Sequence, residues 1–204
     1  MRTIFIGVID YGMGNHASVV HTLRDLGFRV IITNDITELN LVDVLILPGV
    51  GAFPSAMNVL HKLGLVDYLK EQSRIGRPLV GICLGMQLFA SASYEHTFTL
   101  GLELIPGNIV PFRNSGAHIG WNTVDLKKQG DSGLAINKDD TFYFNHSFYF
   151  EGTDDYQVAS SQHFLPFASI IKRNNTIGLQ FHPEKSQASG KALLRKLIIG
   201  LTHA

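Results

Sequence analysis

One cysteine, Cys83, is all that 204 residues offer to thiol chemistry. An internal disulfide is therefore excluded, packing must hold the fold, and a reducing cytoplasm is the expected setting. Charge of one sign is also missing: Lys and Arg number 17 and Asp and Glu 17, for a formal net charge of zero. With no basic run, a nucleic-acid partner is not expected. No apolar run approaches the roughly 18 residues of a membrane span, so no membrane association is expected either. The opening stretch MRTIFIGVID meets Asp10 before its apolar run is long enough for a secretory leader. What is present is ordinary for a globular protein, with 45% apolar and 17% charged residues. The length suits one domain, expected over residues 1–204, with a sizeable core.

The first half alternates strand and helix signals. IFIGVID (4–10), RVIIT (29–33), VDVLILPG (42–49) and PLVGIC (78–83) are apolar enough for buried strands. Between them, Asn15 is placed to cap a helix with Val19, Val20, Leu23 and Leu26 on its apolar face, ended by Gly27. GLVDYLKEQSRIG (64–76) reads as another helix, and one more begins at about Leu84. Buried strands separated by helices imply a mostly parallel sheet covered on both faces. In the second half, HIGWNTVDL (118–126), TFYFNHSFYF (141–150), QVASSQ (157–162), FASIIKR (167–173) and TIGLQF (176–181) read as strands, the last two joined by a hairpin at Asn174–Asn175. SQASGKALLRKLIIGL (186–201) reads as a helix. The expected class is α/β, a single domain with a mixed, mostly parallel sheet flanked by helices.

Two glycine motifs compete for attention. GMGNHA (12–17) fits a permitted form of the dinucleotide fingerprint, and Asp35 lies slightly beyond the place of a ribose-binding acid. A chain of this length leaves little room for a dinucleotide domain plus a substrate domain, so an ordinary strand-end turn is the stronger reading. GICLG (81–85) is the thiol analogue of the nucleophile elbow. Glycines two residues to either side of Cys83 remove side chains that would clash at a sharp strand-to-helix turn, and the helix that follows would favour thiolate. The alternative is a buried core cysteine.

A nucleophilic thiol needs a base, and the base needs an orienting group. His182 follows an apolar strand and precedes Pro183. Glu184, two residues on, would share its side of an extended backbone. LPGVGAF (47–53) ends the third strand in a glycine-rich turn. There the amide of Val50 or Gly51, with that of Leu84, could receive an oxyanion.

GICLGMQ, PGVGAF and QFHPEKS together resemble the class I glutamine amidotransferases, whose glutaminase domains have a flavodoxin-like architecture. The ordered strings IDYGMGN, LPGVGAF, GICLGMQL, HIGWN, HSFY and QFHPEKS resemble, nearly end to end, the glutaminase subunits of imidazole glycerol phosphate synthases. The resemblance implies Cys83 as nucleophile, His182 as base and then acid, and Glu184 as orienter, with L-glutamine as substrate and neither metal nor cofactor. It places Gln87, Glu95, Ser147 and Phe148 around the glutamine, and Val50, Gly51 and Leu84 at the oxyanion and substrate site. It implies a (β/α)8-barrel synthase (cyclase) subunit as heterodimer partner, receiving ammonia through a channel, with Tyr11, Met13, Asn15, His118 and Trp121 at or near the interface. Bland alternatives stand beside these: Trp121 as a core aromatic, His118 and His146 as satisfied core or edge histidines. A related glutaminase feeding a sugar-modifying amidotransferase in surface-polysaccharide synthesis is the alternative function.

Overall fold

The computed structural model describes residues 3–112, 116–127, 134 and 136–202. Its first half runs β1 (Phe5–Ile9), α1 (His16–Asp25), β2 (Arg29–Thr33), α2 (Ile36–Leu39), β3 (Val44–Gly49), α3 (Phe53–Lys62), α4 (Leu65–Arg74), β4 (Leu79–Cys83) and a single turn, α5 (Leu84–Gln87). The rest is mostly strand: β5 (Ala92–Ser93), β6 (Thr99–Leu100), β7 (Gly107–Pro111), β8 (His118–Thr123), β9 (Asp125–Leu126), β10 (Thr141–His146), β11 (Phe148–Gly152), β12 (Gln157–His163), β13 (Leu165–Arg173) and β14 (Thr176–Leu179), before α6 (Gln187–Thr202).

Among the described residues, eight strands form the central sheet in the order β2-β1-β3-β4-β14-β13-β12-β9. Pairing is parallel from β2 to β14 and antiparallel beyond it. The period-2 geometry of a strand explains its uninterrupted apolar sequences. In β3, Val44 and Ile46 enter one core cluster while Leu45 and Leu47 enter the other. The first cluster is completed by Val19, Val20 and Leu23 of α1 and by Leu193, Leu194, Leu197 and Ile198 of α6. The second is completed by Phe53, Ala56, Met57 and Leu60 of α3 and by Leu65, Val66 and Leu69 of α4. Helices therefore cover both faces, as expected of the α/β class.

Several local expectations change. From sequence LPGVGAF ends in a turn, but Phe53 opens α3, with Pro54 in its first turn, where a missing N–H costs nothing. The stretch 141–150 is not one strand. It breaks at Ser147: β10 pairs with β8 in a two-stranded sheet, while β11 pairs with β7 in a four-stranded sheet, β11-β7-β5-β6. The helix expected from Leu84 is only one turn, too short to supply much of a dipole. Asn15 makes no side-chain cap on α1; its amide is turned toward Glu184. Among the described residues no helix is long and apolar enough to cross a membrane.

Phe142 ties the small sheet to the core: it is fully buried, with its ring centroid 4.4 Å from that of Phe181. Phe142→Ala should lower the unfolding free energy by about 3–5 kcal/mol, read as a lower midpoint in equilibrium urea denaturation; an unchanged midpoint would show that the ring is not part of the cooperative core.

Candidate active site

The carboxyl ends of β1, β3, β4 and β14 meet at one rim of the sheet, where open α/β folds place their ligands. Strand β4 is held on both sides, with Cys83 paired to Gly49 of β3 and Ile82 to Leu179 of β14. At its end the chain turns sharply. Cys83 has φ 54° and ψ −111°, a conformation costing a side-chain-bearing residue about 1–3 kcal/mol. Close packing enforces it. A Cβ on Gly81 would meet the Gly85 carbonyl oxygen at 2.6 Å, and one on Gly85 would overlap the Leu47 carbonyl. The two glycines of GICLG are thus required by backbone approach, and the turn leaves the Cys83 thiol facing a cavity, with Sγ 3.9 Å from the Asn145 carbonyl oxygen.

His182 reaches the same cavity from the end of β14. Its N–H donates to the Tyr143 carbonyl at 2.8 Å, and its own carbonyl accepts from Ser186 Oγ at 2.6 Å and from the Lys185 N–H at 3.0 Å. Residues 183–185 form a 3-10 turn, not the extended backbone expected from the sequence. That turn brings Glu184 Oε1 to 2.8 Å from His182 Nδ1. A carboxylate only accepts, so Nδ1 carries the proton and Nε2 is left for the sulfur. Burial pulls the His182 imidazolium down, but hydrogen bonds and charge from Cys83 and Glu184 more than offset it, lifting the pKa to about 10. The Glu184 side chain has no solvent exposure; Oε1 lies 3.5 Å from Asn15 Nδ2, and Oε2 has no partner among the described residues.

A cavity of about 250 Å³ joins these groups, lined by Val50, Gly51, Cys83, Leu84, Gln87, Glu95, Asn145, His146, Ser147, Phe148 and His182. That is below the roughly 300–1,000 Å³ of drug-sized pockets, a size for one small metabolite. All seven residues expected around the substrate are among its walls. Leu84 opens α5, so its N–H has no acceptor within the helical turn. The Val50 N–H, by contrast, donates to the Met13 carbonyl at 3.4 Å. Gln87 is buried, its Nε2 shared between the Phe148 carbonyl at 3.0 Å and Gln180 Oε1 at 3.2 Å. Glu95 accepts the Phe53 N–H at 2.8 Å, a carboxylate at the start of α3.

The residues that the resemblance assigned to a partner interface divide. Trp121 is 48% exposed, Met13 and Asn15 are half-buried, and Tyr11 and His118 are buried. Asn145, His146 and Gln180 belong to the neighbourhood of the site without having been singled out for it. Asn145 could have been found by its place beside HSFY on the strand face opposite the phenylalanines. Among the described residues no group of three His, Cys, Asp or Glu is placed to hold a metal ion.

The model of the class-I glutamine amidotransferases matches residues 7–201. The chain belongs to that family. Similar proteins include the imidazole glycerol phosphate synthase subunit HisH of Caldanaerobacter subterraneus subsp. tengcongensis, 42% identical over 93% of this chain and 95% of that one. The subunit of the same name from Lactococcus lactis subsp. lactis is 38% identical over 95% of this chain and 97% of its own. Among solved structures, PurLQS from Thermotoga maritima aligns with a TM-score of 0.76 at 17% identity, covering 98% of this chain and 100% of that one. A glutamine amidotransferase from Thermotoga maritima aligns with a TM-score of 0.73 at 14% identity over the whole of both chains. These two likenesses concern the class-I amidotransferase fold.

Replacing Glu184 by Gln removes one of the two neighbours that raise His182. The imidazole pKa should fall from about 10 in an NMR titration of 15N-histidine-labelled protein; an unmoved pKa would mean that the carboxylate does not act on the ring.

Proposed function

We propose that this chain is the glutaminase subunit of an imidazole glycerol phosphate synthase, a single glutaminase domain over residues 1–204 acting in histidine biosynthesis. It would hydrolyse L-glutamine to glutamate and ammonia, and pass the ammonia to a (β/α)8-barrel synthase subunit that forms imidazole glycerol phosphate and aminoimidazole carboxamide ribotide. The observation that carries this reading is that Cys83 and His182 line one small cavity, with Glu184 behind His182 on its Nδ1. Relatives named as synthase subunits, matched over nearly their full length, support the pathway.

The chemistry follows from the proton positions. Cys83 thiolate adds to the side-chain carboxamide carbon of glutamine, and the carbonyl oxygen takes up the charge. A raised His182 pKa favours imidazolium beside the thiolate, so Nε2 can give its proton to the departing nitrogen. The C–N bond breaks, ammonia leaves and a thioester remains. Neutral His182 then takes a proton from water as it attacks the thioester, and glutamate is released with the thiol restored. Glu184 holds the ring through Nδ1 in both steps.

The oxyanion needs amide donors, and one of them is engaged elsewhere. With its N–H on the Met13 carbonyl, Val50 cannot donate to the intermediate until that peptide turns. Gly49 and Gly51 flank it, and Gly51 already has φ +107°. Losing one such donor typically costs about 10²–10³ in rate. The isolated chain should therefore turn over slowly until partner binding rearranges the loop between β1 and α1. A docking face for that partner lies beside the cavity: Ile119, 64% exposed, and Trp121 project from the outer side of β8, with Trp121 edge-on to Tyr143. Exposed aromatics of this kind anchor interfaces. A heterodimer in the cytoplasm would cover them.

Copurification with candidate barrel subunits tests the proposal. Glutamine hydrolysis should rise on adding the histidine-pathway synthase and its ligand, and Cys83→Ala should reduce it to background. Retained hydrolysis in that variant would remove the nucleophile; stimulation only by a sugar-modifying synthase would move the enzyme to another pathway. Rapid turnover by the purified chain alone would contradict the engaged-amide account.

A further inference from the structure

The inner face of the β8–β10 pair carries a chain of hydrogen bonds that the reaction scheme does not use. Asn122 Nδ2 donates to the Gln162 carbonyl of β12 at 2.9 Å and lies 3.1 Å from His118 Nε2. His118 Nδ1 lies 3.1 Å from His146 Nε2, and His146 Nδ1 lies 2.8 Å from the Phe148 carbonyl oxygen. That same carbonyl accepts from Gln87 Nε2, whose other contact is Gln180 Oε1. Both histidines are buried.

Backbone carbonyls at the two ends can only accept, and this settles every proton between them. Facing the Phe148 carbonyl, His146 Nδ1 must carry hydrogen. If the ring is neutral, its Nε2 is an acceptor, so His118 Nδ1 must donate. His118 Nε2 is then an acceptor, and it faces an amide nitrogen of Asn122 that has a second hydrogen to give. One arrangement satisfies every contact, and it needs both rings neutral as Nδ1–H tautomers. A proton added to His118 would set two donors against each other at Asn122.

We propose that His118 and His146 are positioning residues for glutamine: a one-way hydrogen-bonded strut, braced on β12, that fixes the Phe148 carbonyl and with it the Ser147–Phe148 wall of the cavity. The proposal rests on the glutaminase reading for the identity of the ligand. Geometry gives the wall a need for such support, because Ser147 is where the chain leaves one sheet for another. The surroundings also keep the rings neutral. Burial first, and then the neighbouring His163, lowers His118 to about 4. Burial again lowers His146, to about 3, against the raising effect of the Phe148 carbonyl and helped by His118, His163 and His182. His118 is sandwiched between aromatic rings, 4.6 Å from Phe144 and 4.4 Å from His163, so it has little freedom to turn away.

Two measurements on the full chain test this. In 15N-histidine NMR, His118 and His146 should both appear as neutral Nδ1–H tautomers throughout the neutral pH range; an Nε2–H tautomer or a protonated ring at either position overturns the strut. The second follows saturable alkylation of Cys83 by a glutamine-like diazo-ketone. His118→Leu deletes the donor to His146, whereas His118→Asn keeps an N–H near the Nδ1 position. The half-saturating concentration should rise about tenfold in the leucine variant, with the maximal rate little changed, and return to within about threefold of wild type in the asparagine variant. Equal values in all three proteins, or equal impairment of both variants with circular dichroism and urea midpoints intact, would overturn the proposal. If neither variant folds, the wild-type tautomers decide it alone. Wild-type protein that shows no saturable labelling would instead count against the glutaminase reading, leaving the tautomer result to judge the strut.

Discussion

The two-sided pairing of β4 is the constraint on which the rest depends. Strand β3 fixes Cys83 opposite Gly49, and β14 runs parallel on the other side and delivers His182 just past its end. A thiol and an imidazole 99 positions apart become neighbours because their strands are neighbours, in register, at the same edge. The strained backbone at Cys83 is the local consequence. A turn that cost less would have to move Gly85 off the Leu47 carbonyl, and so move the thiol off the rim.

The polar groups at this edge form one connected arrangement. Glu184 sets the His182 tautomer, and Asn15, from the loop after β1, reaches the same carboxylate. Two residues earlier in that loop, the Met13 carbonyl accepts from the Val50 amide just past the end of β3. One short segment therefore touches both the acid that orients the base and the turn that would hold an oxyanion. On the opposite wall, Gln87 joins the segment after Cys83 to the Phe148 carbonyl and to Gln180. Displacing either wall would disturb the proposed substrate contacts and the proton positions together.

Much of this was legible in the sequence. The four parallel strands named from their apolar runs are present, and the six ordered motifs pointed to the family in which the chain falls. The failures are local and physical. Helix α3 was hidden by the proline and glycines before it, although Phe53, Ala56, Met57 and Leu60 follow the spacing i, i+3, i+4, i+7. TFYFNHSFYF keeps the alternation of one strand through a change of sheet, because period-2 burial survives a break at Ser147. Asn15 has the composition of a helix cap and uses its amide elsewhere, since a buried carboxylate competes for it. The contact between His118 and His146 needed the register of β8 against β10, which no local signal carries.

The convergence of the three groups is most directly measured in a crystal structure of the chain alkylated by the diazo-ketone glutamine analogue. The expected result is a thioether on Cys83 Sγ, the His182 ring within hydrogen-bond reach, about 3–4 Å, of the sulfur or of the leaving-group position, and Glu184 still on Nδ1. Modification of another residue, or an imidazole turned away from the adduct with Glu184 elsewhere, would contradict it.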